Sequence, residues 1–176
     1  MVALLTVRLN LIVKIQSVIY KLKRFIDKLR GLLGISSINK KLANGNQALL
    51  EVLIKASDGL LYMSEYDYPF EAFLWDKDEP IINNQTILKK TGHSSNTPVE
   101  VISLEEFFET AILEQDWHDD EDKETVRRFQ ALVKTLHDNL SDLKVYRLGT
   151  IDIDVYLVGR ANEGNYAGLY TKVVET

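Results

Sequence analysis

Apolar residues at alternating steps of four and three open the chain. Leu11, Ile15, Val18, Leu22, Phe25, Leu29 and Leu32 form one seam, and Ile12, Ile19 and Ile26 widen it. That spacing predicts an amphipathic helix over residues 2–33 with a broad apolar face. Lys14, Lys21 and Lys28 lie along its rim, and Gly31 and Gly34 end it. The polar segment 36–46 contains Asn44-Gly45, a turn signal, and reads as a linker. A second apolar set, Leu49, Leu50, Leu53 and Ile54, predicts a helix that ends near Asp58-Gly59.

The pattern then shortens. Residues 63–69 read as a loop, because Pro69 lacks an N–H and pushes Tyr68 out of helical geometry. Residues 70–75 are strand-like, Asn84–Thr91 is a short helix closed by Gly92, and Val99–Ile102 is a strand. Ser103 is a natural N-cap for a helix over 104–112, with Glu106 completing a capping box. Val126, Phe129, Leu132, Val133, Leu136 and Leu140 give the 3.6-residue period of a helix over about 120–140. Three strand-like runs follow, 144–148, 151–158 and 166–174, with Gly164 and Asn165 in the last hairpin turn. This order predicts a mixed sheet with helices packed on it, in a strand order that the sequence does not reveal.

Charge divides the chain as the patterning does. Residues 1–41 hold nine basic residues against Asp27 alone, and the remainder holds twelve basic against twenty-five acidic. The 176 residues suffice for one domain with a real core, here an acidic body carrying a basic arm. An acidic body is a poor ligand for nucleic acid, whose phosphates need Lys and Arg, but it suits a protein that itself binds nucleic acid. The apolar start is broken by Arg8 and Lys14, short of the roughly 20 residues that span a bilayer, and it lacks the basic n-region of an export signal. The absence of cysteine excludes disulfides and thiolate metal sites.

Catalytic signatures are missing. His93, His118 and His137 form no ligand spacing, and there is no GxSxG elbow, P-loop or GxGxxG. The chain is expected not to be an enzyme and to hold no cofactor of its own. Its most unusual local feature is Asp116-Trp117-His118-Asp119-Asp120-Glu121-Asp122. The acids are either the dipole-matched start of a helix or part of a contact patch. Trp117 is either a core anchor or a binding residue. Glu65, in the predicted loop, carries no meaning by itself. The last predicted strand runs into Glu175-Thr176, which could present oxygen donors at a fixed place.

Taken together, several segments resemble the nuclease A inhibitor family, whose members block DNA/RNA-nonspecific endonucleases of the ββα-metal type. They are residues 56–65, Tyr68-Pro69-Phe70-Glu71, Phe73-Leu74-Trp75, Thr91-Gly92-His93, Gln115-Asp116-Trp117, Val145-Tyr146-Arg147-Leu148-Gly149 and residues 171–176. The resemblance covers the chain from about Asn46 onward. It implies an α/β/α sandwich similar to the pathogenesis-related-1 proteins for residues 46–176, following the basic helix and linker of 1–45. It also implies roles by position. Glu65 matches the glutamate that imitates the scissile phosphate. Thr176 matches the threonine whose oxygen reaches the catalytic Mg²⁺ of the nuclease. Asp116 and Trp117 match a second contact site. A cytoplasmic inhibitor is then expected, bound to an endonuclease and not to nucleic acid. The basic arm falls outside the resemblance: it is a docking helix or a translation start placed upstream. Its Lys-rimmed apolar face suits a membrane surface, a partner helix or self-association. A non-inhibitory binding module directed by that arm is the alternative reading.

Overall fold

The computed structural model describes residues 35–76, 82–162 and 164–175, with side chains from Gly45 onward. The helix expected over 2–33 and the residue Thr176 lie outside the described residues. The chain divides into two compact units, residues 1–45 and 46–176, and the sheet belongs to the second.

The first described element, α1 (Ile35–Ser57), corrects the expected linker, since residues 36–46 are helical. Asn44-Gly45 turns a chain only where the flanking residues leave the helix, and one glycine costs a helix only about 1 kcal/mol relative to alanine. Gly59, at φ +66°, ends the run as its sequence position foretold. The expected loop, residues 63–69, ends in a short strand that pairs with another just before it, a ladder that the proline argument missed. Here β1 (Leu61–Tyr62) pairs antiparallel with β2 (Tyr68–Pro69). Proline fits at the edge of such a small ladder.

The remaining elements are β3 (Glu71–Trp75), α2 (Asn84–Thr91), β4 (Val99–Ile102), α3 (Leu104–Phe108), α4 (Asp120–Asn139), β5 (Ser141–Leu148), β6 (Asp152–Arg160) and β7 (Tyr166–Val174). Three of the four described helices start or stop where their caps dictate. Asn83 and Thr86 form a reciprocal capping box at α2, and Gly92, at φ +78°, closes it. Asp119 and Asp122 form the box at α4, so the acids there do serve the helix start. Ser103 caps α3 by accepting from Glu106 N, half of the expected box. Helix α3 ends at Phe108, shorter than the 104–112 expected, and a turn follows.

The five-stranded sheet has the order β3-β7-β6-β5-β4, and every neighbouring pair is antiparallel. The expected mixed sheet is thereby corrected. Its cause is local: β5, β6 and β7 follow one another through short turns, and a short turn can only join antiparallel strands. The strands β3 and β4 then close the two edges.

Alternation along the strands sorts the core onto two faces. Val145, Ile153, Val155, Leu157, Ala167, Leu169 and Val173 share one face, which packs against Leu53 of α1, Leu104, Phe107 and Phe108 of α3, and Phe129, Leu132 and Leu136 of α4. Tyr146, Leu148, Val158 and Tyr166 share the other, with Ile82 and with Ile87 and Leu88 of α2. Helices therefore lie on both faces of one sheet, an α/β arrangement. Among the described residues no helix is long and apolar enough to cross a membrane.

Gly168 marks where the sheet tolerates no side chain. It faces Phe73 across the β3–β7 ladder, and a Cβ built there would lie 1.7 Å from the Leu157 carbonyl oxygen. Gly92 has a positive φ but open space around its missing Cβ. Gly168→Ala is expected to lower stability by more than about 3 kcal/mol, and Gly92→Ala by about 1 kcal/mol. Equal midpoint shifts for the two variants in denaturant unfolding would contradict this assignment.

Candidate functional site

The loop carrying Glu65 is built against the end of β7. Ser64 is the fastening point: its Oγ donates to the Tyr66 carbonyl at 2.7 Å and accepts from Val174 N at 3.3 Å. Glu65 N donates to the Val174 carbonyl at 3.5 Å, and Thr171 Oγ1 donates to the Tyr68 carbonyl at 3.4 Å. The bonds to β7 are long individually, but they enclose the loop from both sides. On the inner side Tyr62 stacks on Phe107 with centroids 4.4 Å apart, and its hydroxyl donates to the Phe107 carbonyl. Burial raises the Tyr62 pKa, so it remains a protonated donor at neutral pH. The Glu65 side chain is exposed at the rim of this scaffold.

The exit of β7 is itself held. Glu175 N donates to the Ile151 carbonyl at 3.1 Å, and the Glu175 carboxylate pairs with Arg147. Arg147 reaches a second carboxylate, Glu100, at 3.1 Å from its other terminal nitrogen. Glu100 stands directly opposite Arg147 in the β4–β5 register, which makes this a cross-strand pair. Arg147 Nε is buried and has no hydrogen-bond partner among the described residues. A buried donor left unsatisfied costs stability, and exposed glutamates return little of it. The physical effect of Arg147 is therefore mainly positional: it fixes where the chain runs after β7.

Asp116 and Trp117 occupy a second loop, between α3 and α4. They are the central residues of a β-turn closed by His118 N donating to the Gln115 carbonyl at 3.1 Å. The His118 ring completes the clasp, with Nδ1 accepting from Gln115 N at 3.2 Å. Trp117 lies edge-on to that ring and is 77% exposed, which excludes the core-anchor reading. Asp116 is exposed beside it.

Of the four residues singled out from the sequence, the fold thus brings Glu65 to the end of β7, the strand that leads to Thr176. It places Asp116 and Trp117 together on a separate turn. Ser64 and Arg147 escaped sequence reasoning as the fasteners of these sites, as did the pairing of Glu175 with Arg147 and the clasp made by the His118 ring. Ser64 and Arg147 lay inside matched segments, but their partners are remote in the chain.

A third polar cluster belongs to the scaffold. His93 Nε2 lies 2.9 Å from Asp154 Oδ2, Tyr170 donates to Asp154 Oδ1 at 2.7 Å, and Thr91 Oγ1 lies 2.8 Å from His93 Nδ1. The Thr91-Gly92-His93 segment thereby ties the end of α2 to β6. Burial, followed by the charges of Asp154 and Glu71, pushes the Tyr156 phenol up to about 12, so it stays neutral on this face. Among the described residues no group of three or more His, Asp or Glu side chains is placed to hold a metal ion.

The family model for nuclease A inhibitor-like proteins matches residues 47–176, and the chain belongs to that family. Membership points to nuclease inhibition in general, hence to a nuclease as the binding partner. No match was found among curated proteins.

The clamp on β7 can be tested without any partner. In Arg147→Met, which keeps the apolar stem, the Glu175 amide is expected to exchange with solvent at least about tenfold faster, while global stability changes by no more than about 1 kcal/mol. Unchanged exchange at Glu175, followed by amide NMR, would show that Arg147 does not hold the strand exit.

Proposed function

We propose that this protein inhibits a Mg²⁺-dependent, sugar-nonspecific DNA/RNA endonuclease by placing Glu65 where the scissile phosphate would bind. The single observation that carries the reading is the fastening of the Glu65 loop to the end of β7. It offers an exposed carboxylate on a support that needs little ordering when a partner arrives, and preorganisation is what converts contact into affinity.

A nuclease that ignores base identity grips phosphate with cations and a hard metal. A carboxylate satisfies the same groups and offers no bond to cleave. Thr176 follows Val174 by two residues, at most about 7 Å of extended chain, so its oxygens are within reach of the same cleft. An oxygen donor suits Mg²⁺, and the metal is the nuclease's own. Asp116 and Trp117 form a second clamp, which the exposure of Trp117 on a closed turn supports. The layering of helices on both faces of the sheet supports likeness to the pathogenesis-related-1 fold. The excess of acid over residues 46–176 steers the inhibitor toward a basic cleft, most strongly at low salt.

The test is titration of purified chain and variants into a Mg²⁺-dependent nuclease assay on both DNA and RNA. Wild type is expected to abolish cleavage of both substrates. Glu65→Ala, and separately deletion of Thr176, are expected to weaken inhibition more than tenfold, about 1.4 kcal/mol or more. Undiminished inhibition by both variants would refute the mechanism. Trp117→Ala and Asp116→Ala are expected to act mainly by speeding dissociation.

A further inference from the structure

We propose that Met63 and Tyr66 form an apolar collar around Glu65 that seals against the rim of the nuclease cleft. The proposal rests on the placement of Glu65 in that cleft and assigns the surface that makes the placement hold.

The bend over Ser64–Tyr66 presents these side chains to solvent. Ser64 is half-buried and turned inward by its bonds to Tyr66 and Val174, which leaves its neighbours Met63 and Glu65 facing solvent. The bond from Ser64 Oγ to the Tyr66 carbonyl bends the chain back, and Tyr66 stays outside as well. Met63 is 80% exposed and Tyr66 64%, and among the described residues no large hydrophobic is more exposed than Met63. Residue type did not decide this. Tyr62, one position before Met63, is stacked on Phe107 in the interior. The loop sorts one aromatic inward and presents the next.

Two exposed apolar side chains flank Glu65, and apolar surface has a specific use beside a carboxylate. A charge pair gains strength as water is excluded, because its attraction scales inversely with the local dielectric. Binding hot spots are accordingly ringed by contacts whose main effect is to keep water out. Methionine and tyrosine are enriched in such surfaces. The neighbouring charges identify the occupant. Asp67 and Glu175 are exposed on the same loop-and-strand end, so an anionic membrane or nucleic acid would be repelled. The surface fits a cleft that is cationic at its centre and apolar at its rim.

The experiment measures binding of the full chain to the nuclease that wild type inhibits, at low and moderate salt. The variants are Met63→Ser/Tyr66→Ser, Glu65→Ala and the combination of all three. The collar variant is expected to dissociate at least about tenfold faster, with its association rate and salt dependence retained. The penalty of Glu65→Ala is expected to shrink when the collar is already gone, since an unsealed charge pair is worth less. Thermal unfolding of the collar variant should match wild type, because both side chains are exposed. If dissociation stays within about twofold of wild type while Glu65→Ala still weakens the complex, the collar is refuted and the phosphate-mimic reading survives. Strictly additive effects would refute the sealing role. If Glu65→Ala has no effect, the underlying placement fails and the collar with it.

Discussion

The contact between the Ser64–Glu65 segment and Val174 is the constraint on which the candidate site depends. It joins two stretches more than a hundred residues apart through a handful of polar atoms. Without it, Glu65 would sit on a free loop and the exit of β7 would be one more strand end. With it, an exposed carboxylate and the strand leading to Thr176 share one support. The strand β7 can serve this way because it is paired on both sides, with β6 along its whole length and with β3 along its first half.

Rigidity and exposure are kept apart by layer. The helices α1, α3 and α4 bury one face of the sheet and α2 caps the other, which fixes the strands without covering their ends. The strand ends and the loop between α3 and α4 are fastened by polar contacts, with Ser64, Arg147 and His118 as the fasteners. Each uses side-chain reach to hold a neighbouring backbone or carboxylate, and the residues beside Ser64 and His118 stay outside. The exposure of Met63, Tyr66 and Trp117 therefore follows from what their neighbours do.

Much of the fold was legible because its signals are local. The caps at Gly92 and Ser103 act within one helical turn, and the periodicity of α4 repeats often enough to be unambiguous. The same locality explains the errors. Asn44-Gly45 is a turn signal only if its flanks extend, and here they stay helical. Pro69 argues against a helix and for a loop, but it is silent about an edge ladder of two residues, which has room for it. The helix after Ser103 stops short of its apolar pattern, since apolar residues continue past Phe108 into a turn.

The sequence by itself determined most of the elements, the acidic character of residues 46–176 and the family motifs around Glu65, Asp116 and Trp117. These depend on neighbours within a few positions and on composition, both of which are written in the order of residues. Only the tertiary structure decided that β3 and β4 take the two edges of the sheet, that Trp117 faces solvent and that the Glu65 loop rests on the end of β7. It also decided that Arg147, unremarkable in sequence, stands between Glu100 and Glu175. Those outcomes depend on strand order and register, which bring distant residues within hydrogen-bonding reach, and no local pattern encodes that pairing.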